Sequence, residues 1–600
     1  MSYHRFNRAE TLDAVVDVAR GRAPADRIIR NGRLVNVHTH EIYPADIAIK
    51  GERIACVGDI SHIRTGPDSE VVDAGGLYLT PGLVEPHFHT YHASQNIAEF
   101  ARLVLPRGTT TTTDGFYAFA LIGAQAVRFA VEEFARTPLK LVFLVPVLGY
   151  LQNRNLGLRP VSETFTVEAM LEMIEWPECH GVEEPPYDVV WEREKDPGLW
   201  RVIKRCVALG KVFGGHGWGA KPHELNAYIA AGAQHDHEVG APDHVLDRAR
   251  LGMWAAIREG STVLQMREGV KGLTETAIDP RYVAFTADVA TTDHLRNRGH
   301  IDHAIRAAVA QGLNPVTAVQ CATLNAAGAL GLEREIGSIA PGKFADVLVV
   351  EDLPSFRIRH VFANGRLVAT DGQCLVPLRS SRYPQVFYGV VKLPRPITPA
   401  DLAVAAPAGR DAVRVRVMQA IDGGIATPEV RAVLPIKNGV VWPDPGQDVL
   451  KAVLVETFRG TGKISTGFVK GFRLRRGALG TTHIPFFRSP TVVGTNDADI
   501  ALAINTLARA GGGIIAVADG EVLALQELPI AGACSEKTVE ETIVESAALT
   551  RAARELGCTM VDPYRQLFAL PAIGTISGLR LFEGGLIDSD RREVVDLFVD

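Results

Sequence analysis

The chain has 600 residues but only seven cysteines (Cys56, Cys179, Cys206, Cys321, Cys374, Cys534 and Cys558), and no two of them form a C-x-x-C pair. That absence excludes a disulfide framework and the cysteine-ligated zinc ribbons. It also excludes the deaminases that hold zinc through a P-C-x-x-C pair. There is no basic excess: 63 Lys and Arg face 69 Asp and Glu, a formal charge of −6, so no nucleic-acid surface is expected. No apolar run reaches the roughly eighteen residues of a membrane span. The opening stretch, MSYHRFNRAETLDAVVDVARG, is charged and helical in pattern, without an apolar signal core. Internal repeats and low-complexity tracts are also absent. These absences point to a cytoplasmic protein with reduced thiols and neither nucleic acid nor membrane as a partner.

What is present is a globular mixture, 46% hydrophobic and 22% charged, too long for one core. Residues 1–22 read as an N-terminal helix. Residues 23–80 alternate apolar and polar side chains between Asn31-Gly32 and Lys50-Gly51 turns, as a β-meander does. Alternation returns over 335–390, so these two segments are expected to form one composite β domain, a small sandwich, with residues 81–334 inserted into it. In the insert, short apolar runs alternate with helical stretches. The runs are 83–89, 109–114, 141–147, 181–184, 212–216, 233–237, 262–266 and 283–288. Eight such runs over about 250 residues predict an α/β fold, a (β/α)8 barrel. A Pro-rich linker near 390–409 precedes a separate C-terminal α/β domain over 405–600.

The chemistry-bearing pattern begins in TPGLVEPHFHT, where His87 and His89 stand two residues apart. Residues i and i+2 of a strand face the same side, and barrel enzymes build their sites at the C-terminal ends of their strands. Other runs close on similar groups: Glu183 and Glu184 in HGVEEPP, His216 in FGGHGWG, His235 and His237 in AQHDHE, and Asp288 in AFTADVA. Two imidazoles from the first strand and the Asp of the eighth can hold one divalent ion. Imidazoles from the fifth and sixth can hold a second, with a carboxylate bridging both. Such a pair makes a shared water nucleophilic at neutral pH, and Asp288 can carry its proton to the leaving group. Nitrogen and oxygen ligands suit zinc, manganese or iron.

The split β domain, H-x-H and the His, His and Asp of strands five, six and eight resemble the amidohydrolase superfamily. Many of its members bridge their metals with a strand-four Lys, and this chain has none between Leu141 and Glu194. A Glu in that place, with HELNAYIAAGAQHDHE, LGMWAAIREGS, GHIDHAIRAAVAQGLNPVTAVQCATLNAA and GGGIIAVADGEVLALQELPIAG, resembles the bacterial adenine deaminases from Asp26 to the C-terminus. The resemblance implies a metal shell of His87, His89, Glu184, His216, His237 and Asp288, with Asp288 also the catalytic proton carrier. It implies hydrolytic deamination of a small planar nitrogen heterocycle, releasing ammonia, by a homo-oligomer whose only other partners are that heterocycle and water. Opening of a cyclic amide is the alternative reaction, and a non-catalytic metal-binding homologue the alternative class.

The chain departs from that family in its loops. After H-x-H the usual I-E-S-S gives way to Tyr91 and His92, which are therefore expected to touch substrate. D-P-H-E becomes DGFYAFA, T-D-D-R-H-P becomes TADVATTDH, and A-H-D-S-H-N becomes TTHIPFFRSP, which keeps only His483. On strand four GVEE adds Glu183. Alternation along a strand predicts that only one of Glu183 and Glu184 faces the mouth, and the resemblance selects Glu184. Loops that are more aromatic and less charged predict that adenine itself is a poor substrate.

Overall fold

A computed structural model gives the conformation of residues 9–599, apart from Gln152, 485–487 and 572–576. Residues 1–8 of the expected N-terminal helix lie outside the described residues; the helix that follows runs Leu12–Ala19.

Eight parallel strands lie side by side in chain order: Leu83–Glu85, Thr109–Asp114, Lys140–Pro146, Cys179–Glu183, Val212–Gly215, His235–Asp236, Trp254–Arg258 and Val283–Thr286. The ring is nearly closed, by a bridge from Phe88 to Asp288 and by Glu85, which accepts the Ala287 N–H at 2.8 Å. The second and third strands, TTTTTD and KLVFLVP, are buried along their whole length. Strands covered on both faces favour such runs of β-branched and apolar residues over alternation.

The seventh strand is Trp254–Arg258 and not 262–266 as the sequence suggests. Helix Pro242–Arg250 stops at Gly252, whose φ of 77° turns the chain directly into AAIR. Met266–Gly269 is helical instead. The correction matters because it puts Arg258 at the mouth.

A nine-stranded sheet carries the barrel below. Tyr78–Pro81 pairs antiparallel with Val347–Val350, so chain from both sides of the barrel meets in one sheet. Lys140, fully buried, reaches out of the barrel to both oxygens of Asp346 at 2.7 Å. A second nine-stranded sheet, from Ala412–Gln419 to Glu521–Glu527, and a three-stranded one at 579–595 form the C-terminal part. Helix Val539–Glu555 packs on it, started by a capping box in which Thr538 and Glu541 satisfy each other's backbone N–H groups.

This C-terminal part lies against the barrel mouth. Ser535 N donates to Ser94 O at 2.9 Å, and Val539 N to the Glu99 carboxylate at 3.1 Å. Among the described residues no helix is long and apolar enough to cross a membrane.

Candidate metal centre

Each strand end delivers its side chain by a local device. His87 and His89 lie beyond Glu85, which accepts the His87 N–H at 2.9 Å and the Thr286 hydroxyl at 2.5 Å, tying the first strand to the eighth. Glu184 and Asp288 both sit at left-handed φ, 55° and 56°. Asp adopts that conformation more readily than Glu, so the strain is greater at Glu184, and strain of this kind collects at functional sites. At Glu184 it has a visible result. The strand ends at Glu183, the backbone turns, and Glu183 and Glu184 both face the centre. The alternation argument, which allowed only one of them, is corrected here.

His87 Nε2 lies 3.4 Å from Glu184 Oε1 and 3.6 Å from Asp288 Oδ1. His89 Nε2 lies 3.6 Å from Glu184 Oε2 and 3.7 Å from Asp288 Oδ1. On the other side of Glu184, His237 Nε2 is 3.4 Å and His216 Nδ1 3.8 Å from Oε1. Ligands bound at about 2.1 Å to one tetrahedral ion stand about 3.4 Å apart, so these gaps are the edges of ion-sized polyhedra. Two groupings of potential ligands emerge, His87, His89, Glu183 and Glu184, and Glu184, His216 and His237; Glu184 belongs to both.

The same residues also carry polar atoms without hydrogen-bond partners. His87 Nε2, His89 Nδ1, His216 Nδ1, His237 Nδ1 and both Glu183 oxygens are buried without a hydrogen bond. Protein interiors seldom leave so many polar atoms unpaired in one place. Imidazole and carboxylate are suitable donors for divalent first-row metals, so the residues present fit such an ion.

The electrostatics agree. Burial opposes charge on His87, yet Glu184 and Asp288 hold its pKa well above the ordinary value. Burial opposes charge on His89 too, but Glu184 and Glu183 lift it to about 9. Burial works against ionised Glu184, and His89 and His87 nonetheless hold it well below the carboxylate range. Asp288 is held low in the same way, against burial, by His87 and Arg258. Burial raises Glu183 to about 8 despite both imidazoles. The carboxylates thus demand positive charge at their common centre.

Three further residues complete the surroundings, and none was singled out as a ligand or catalyst from sequence. Tyr117 OH donates to Glu184 Oε2, and its ring meets His89 edge-on at 5.1 Å. Arg258 binds Glu238 through two N–H groups, at 2.9 and 2.6 Å, and Asp288 Oδ2 at 3.1 Å. Glu238 in turn lies 3.6 Å from His216 Nδ1. The signal for Glu238 was its place beside His237; Arg258 was hidden by the misplaced seventh strand.

His235 is not part of the grouping. Its Nδ1 lies 3.2 Å from Ala329 O, and burial lowers its pKa to about 3. Tyr91 and His92 are both 4% exposed, with rings 5.9 and 5.8 Å from that of His89. The C-terminal part covers them. His483 Nε2 lies 2.6 Å from Tyr91 O, and because burial lowers the His483 pKa to about 3, the neutral ring is the donor. Arg565 donates to His92 Nδ1 at 3.3 Å.

Residues 202–368 match the amidohydrolase family, and residues 424–593 match the adenine deaminase C-terminal domain. A curated relative from Moorella thermoacetica named adenine deaminase is 39% identical over 591 residues, covering 98% of each chain. One of the same name from Mesorhizobium japonicum is 37% identical over 595 residues, covering 98% of this chain and 97% of its own. The chain belongs to the adenine deaminase family. Its barrel is therefore that of a metal-dependent hydrolase, with a small molecule and water as reactants, and the buried His and Glu cluster is the candidate site for its divalent metal.

Proposed function

We propose that the chain catalyses hydrolytic deamination of adenine, giving hypoxanthine and ammonia, at a centre of two divalent cations (zinc, manganese or iron). His87, His89 and Asp288 would hold one cation and His216 and His237 the other, with Glu184 shared between them. The observation that carries this reading is the position of Glu184, within 3.4 to 3.8 Å of imidazole nitrogens on both sides. The full-length likeness to relatives named adenine deaminase supports the substrate, against the expectation from the loops that adenine is poorly used. Bound cations supply the Lewis acidity that makes a water nucleophilic at neutral pH.

The chain's own residues do the rest. Tyr117 fixes the bridging carboxylate by its hydroxyl hydrogen bond. Arg258, itself held by Glu238, restrains one oxygen of Asp288 and leaves Oδ1 toward the imidazoles. Asp288 Oδ1 accepts a proton from the attacking water as its oxygen bonds to C6, then delivers that proton to the departing amine. Tyr91, His92 and Tyr117 wall the site and exclude bulk water.

The test is product analysis with metal-loaded protein and adenine. Equal amounts of ammonia and hypoxanthine are expected. A new carboxylate with an opened ring, or no turnover of adenine or any other amino-heterocycle, would overturn the reading.

A further inference from the structure

We propose that Glu183 is a positioning residue that holds His87 and His89 from behind, its carboxylate accepting the Nδ1–H of both rings so that each keeps Nε2 for a cation. This rests on the metal centre and not on adenine as the substrate. Glu183 Oε1 lies 3.6 Å from His87 Nδ1 and 3.4 Å from His89 Nδ1. The two rings stand edge to face, at 88°, and present both Nδ1 atoms to that one oxygen. The opposite nitrogens serve the other side: His87 Nε2 and His89 Nε2 each lie within 3.7 Å of Glu184 and of Asp288.

Little else competes for this carboxylate. Both Glu183 oxygens and His89 Nδ1 are buried without a hydrogen bond, and among the described residues no other imidazole or cation pairs with Glu183. Buried polar atoms left in that state are costly. A shift of about half an ångström brings both contacts into the ordinary N–H···O range of about 2.7–3.2 Å. An imidazole that binds a metal through one nitrogen carries its proton on the other, and a carboxylate on that proton fixes the ring's tautomer and its aim. Glu184 lies on the Nε2 side and cannot do this. Of the four groups His87, His89, Glu183 and Glu184 that could hold a cation, Glu183 therefore serves as anchor and not as ligand.

The carboxylate also has a place made for it. A Cβ at residue 115 would lie 2.2 Å from Glu183 Oε2, so Gly115 leaves the room that the side chain fills. Where the related stretch reads D-P-H-E this chain reads D-G-F-Y, and a proline there would carry the Cβ that Gly115 lacks. The lost proline and the added glutamate, at the ends of the second and fourth strands, are thus two departures that fit together. Tyr117, from the same short stretch, donates to Glu184, so one segment shapes the surroundings of both carboxylates.

Zinc titration of the full chain in competition with a chromophoric chelator tests this, with metal content measured at saturation. Glu183→Met should weaken zinc binding by about 10- to 100-fold, while the number of ions bound at saturation stays that of the parent. Glu183→Gln, whose amide oxygen still accepts an N–H, should stay within about threefold of the parent. In the cobalt-substituted protein, proton NMR should show the exchangeable imidazole N–H lines of two histidines moved in either variant and those of the other two unchanged. Unchanged zinc affinity in Glu183→Met would overturn the proposal, and so would N–H lines that do not move. Glu183→Gln that binds as little zinc as Glu184→Gln would make Glu183 a ligand and overturn it too. Should Glu183→Met fail to fold, the N–H lines of Glu183→Gln decide alone: two moved lines support the anchor, and none refutes it. A parent that takes up no metal would remove the metal centre and the anchor together. A parent that loads fully beside an indifferent Glu183→Met would remove the anchor alone, and adenine turnover enters neither result.

Discussion

At the scale of single residues, Glu184 and Glu183 differ in what they touch. Glu184 lies between both pairs of imidazoles, whereas among the described residues Glu183 Oε1 pairs with the first two alone, His87 Nδ1 and His89 Nδ1, at 3.6 and 3.4 Å. Glu183→Gln should therefore keep more than half of the bound metal and of the rate, and Glu184→Gln should lose most of both, read by elemental analysis and initial rates. Arg258 touches no candidate ligand nitrogen and acts through Asp288 and Glu238. Arg258→Met should lower kcat by about 10- to 100-fold with metal content retained, the range for partners that orient a metal's ligands. The spacing of His87 and His89 and the position of Asp288 were legible in sequence because strand periodicity is a local rule. Glu183 was misread by the same rule, since one left-handed residue cancels it and sequence does not announce that φ. His483 and Arg565 stand hundreds of positions from His89, and only the folded chain brings them against its neighbours Tyr91 and His92.

At the scale of elements, the fourth strand has to approach the fifth closely for Glu183 and Glu184 to reach the centre. Gly181 allows this, because a Cβ there would lie 1.8 Å from Val212 O. Gly181→Ala must push the strands apart and move the carboxylates with them. The expected outcome is a melting temperature several degrees lower, from about 1–3 kcal/mol of overpacking, together with weaker metal retention. Unchanged melting and metal content would contradict this. The element pattern was legible where a run was long and apolar, as at 141–147. It failed at the seventh strand because WAAIR is short, Ala-rich and directly follows a helix, so neither period nor propensity marks it.

At the scale of the whole molecule, ligands from widely separated parts of the barrel sequence meet only in the folded state, so metal binding and folding are linked. An ion bound only by the folded chain stabilises it by about 2.7 kcal/mol at a hundredfold excess over its Kd. Scanning calorimetry should therefore show a melting temperature that rises with free metal and falls with chelator. A melting temperature indifferent to both would show that the ligand atoms are prearranged for something else.

The most direct measurement is the metal content of the full chain after stripping and reconstitution, by elemental analysis, for the parent and for Glu184→Gln. Two divalent ions per chain in the parent and fewer than one in the variant are the expected values. At most one ion in the parent, or two in both proteins, would contradict a shared centre joined by Glu184.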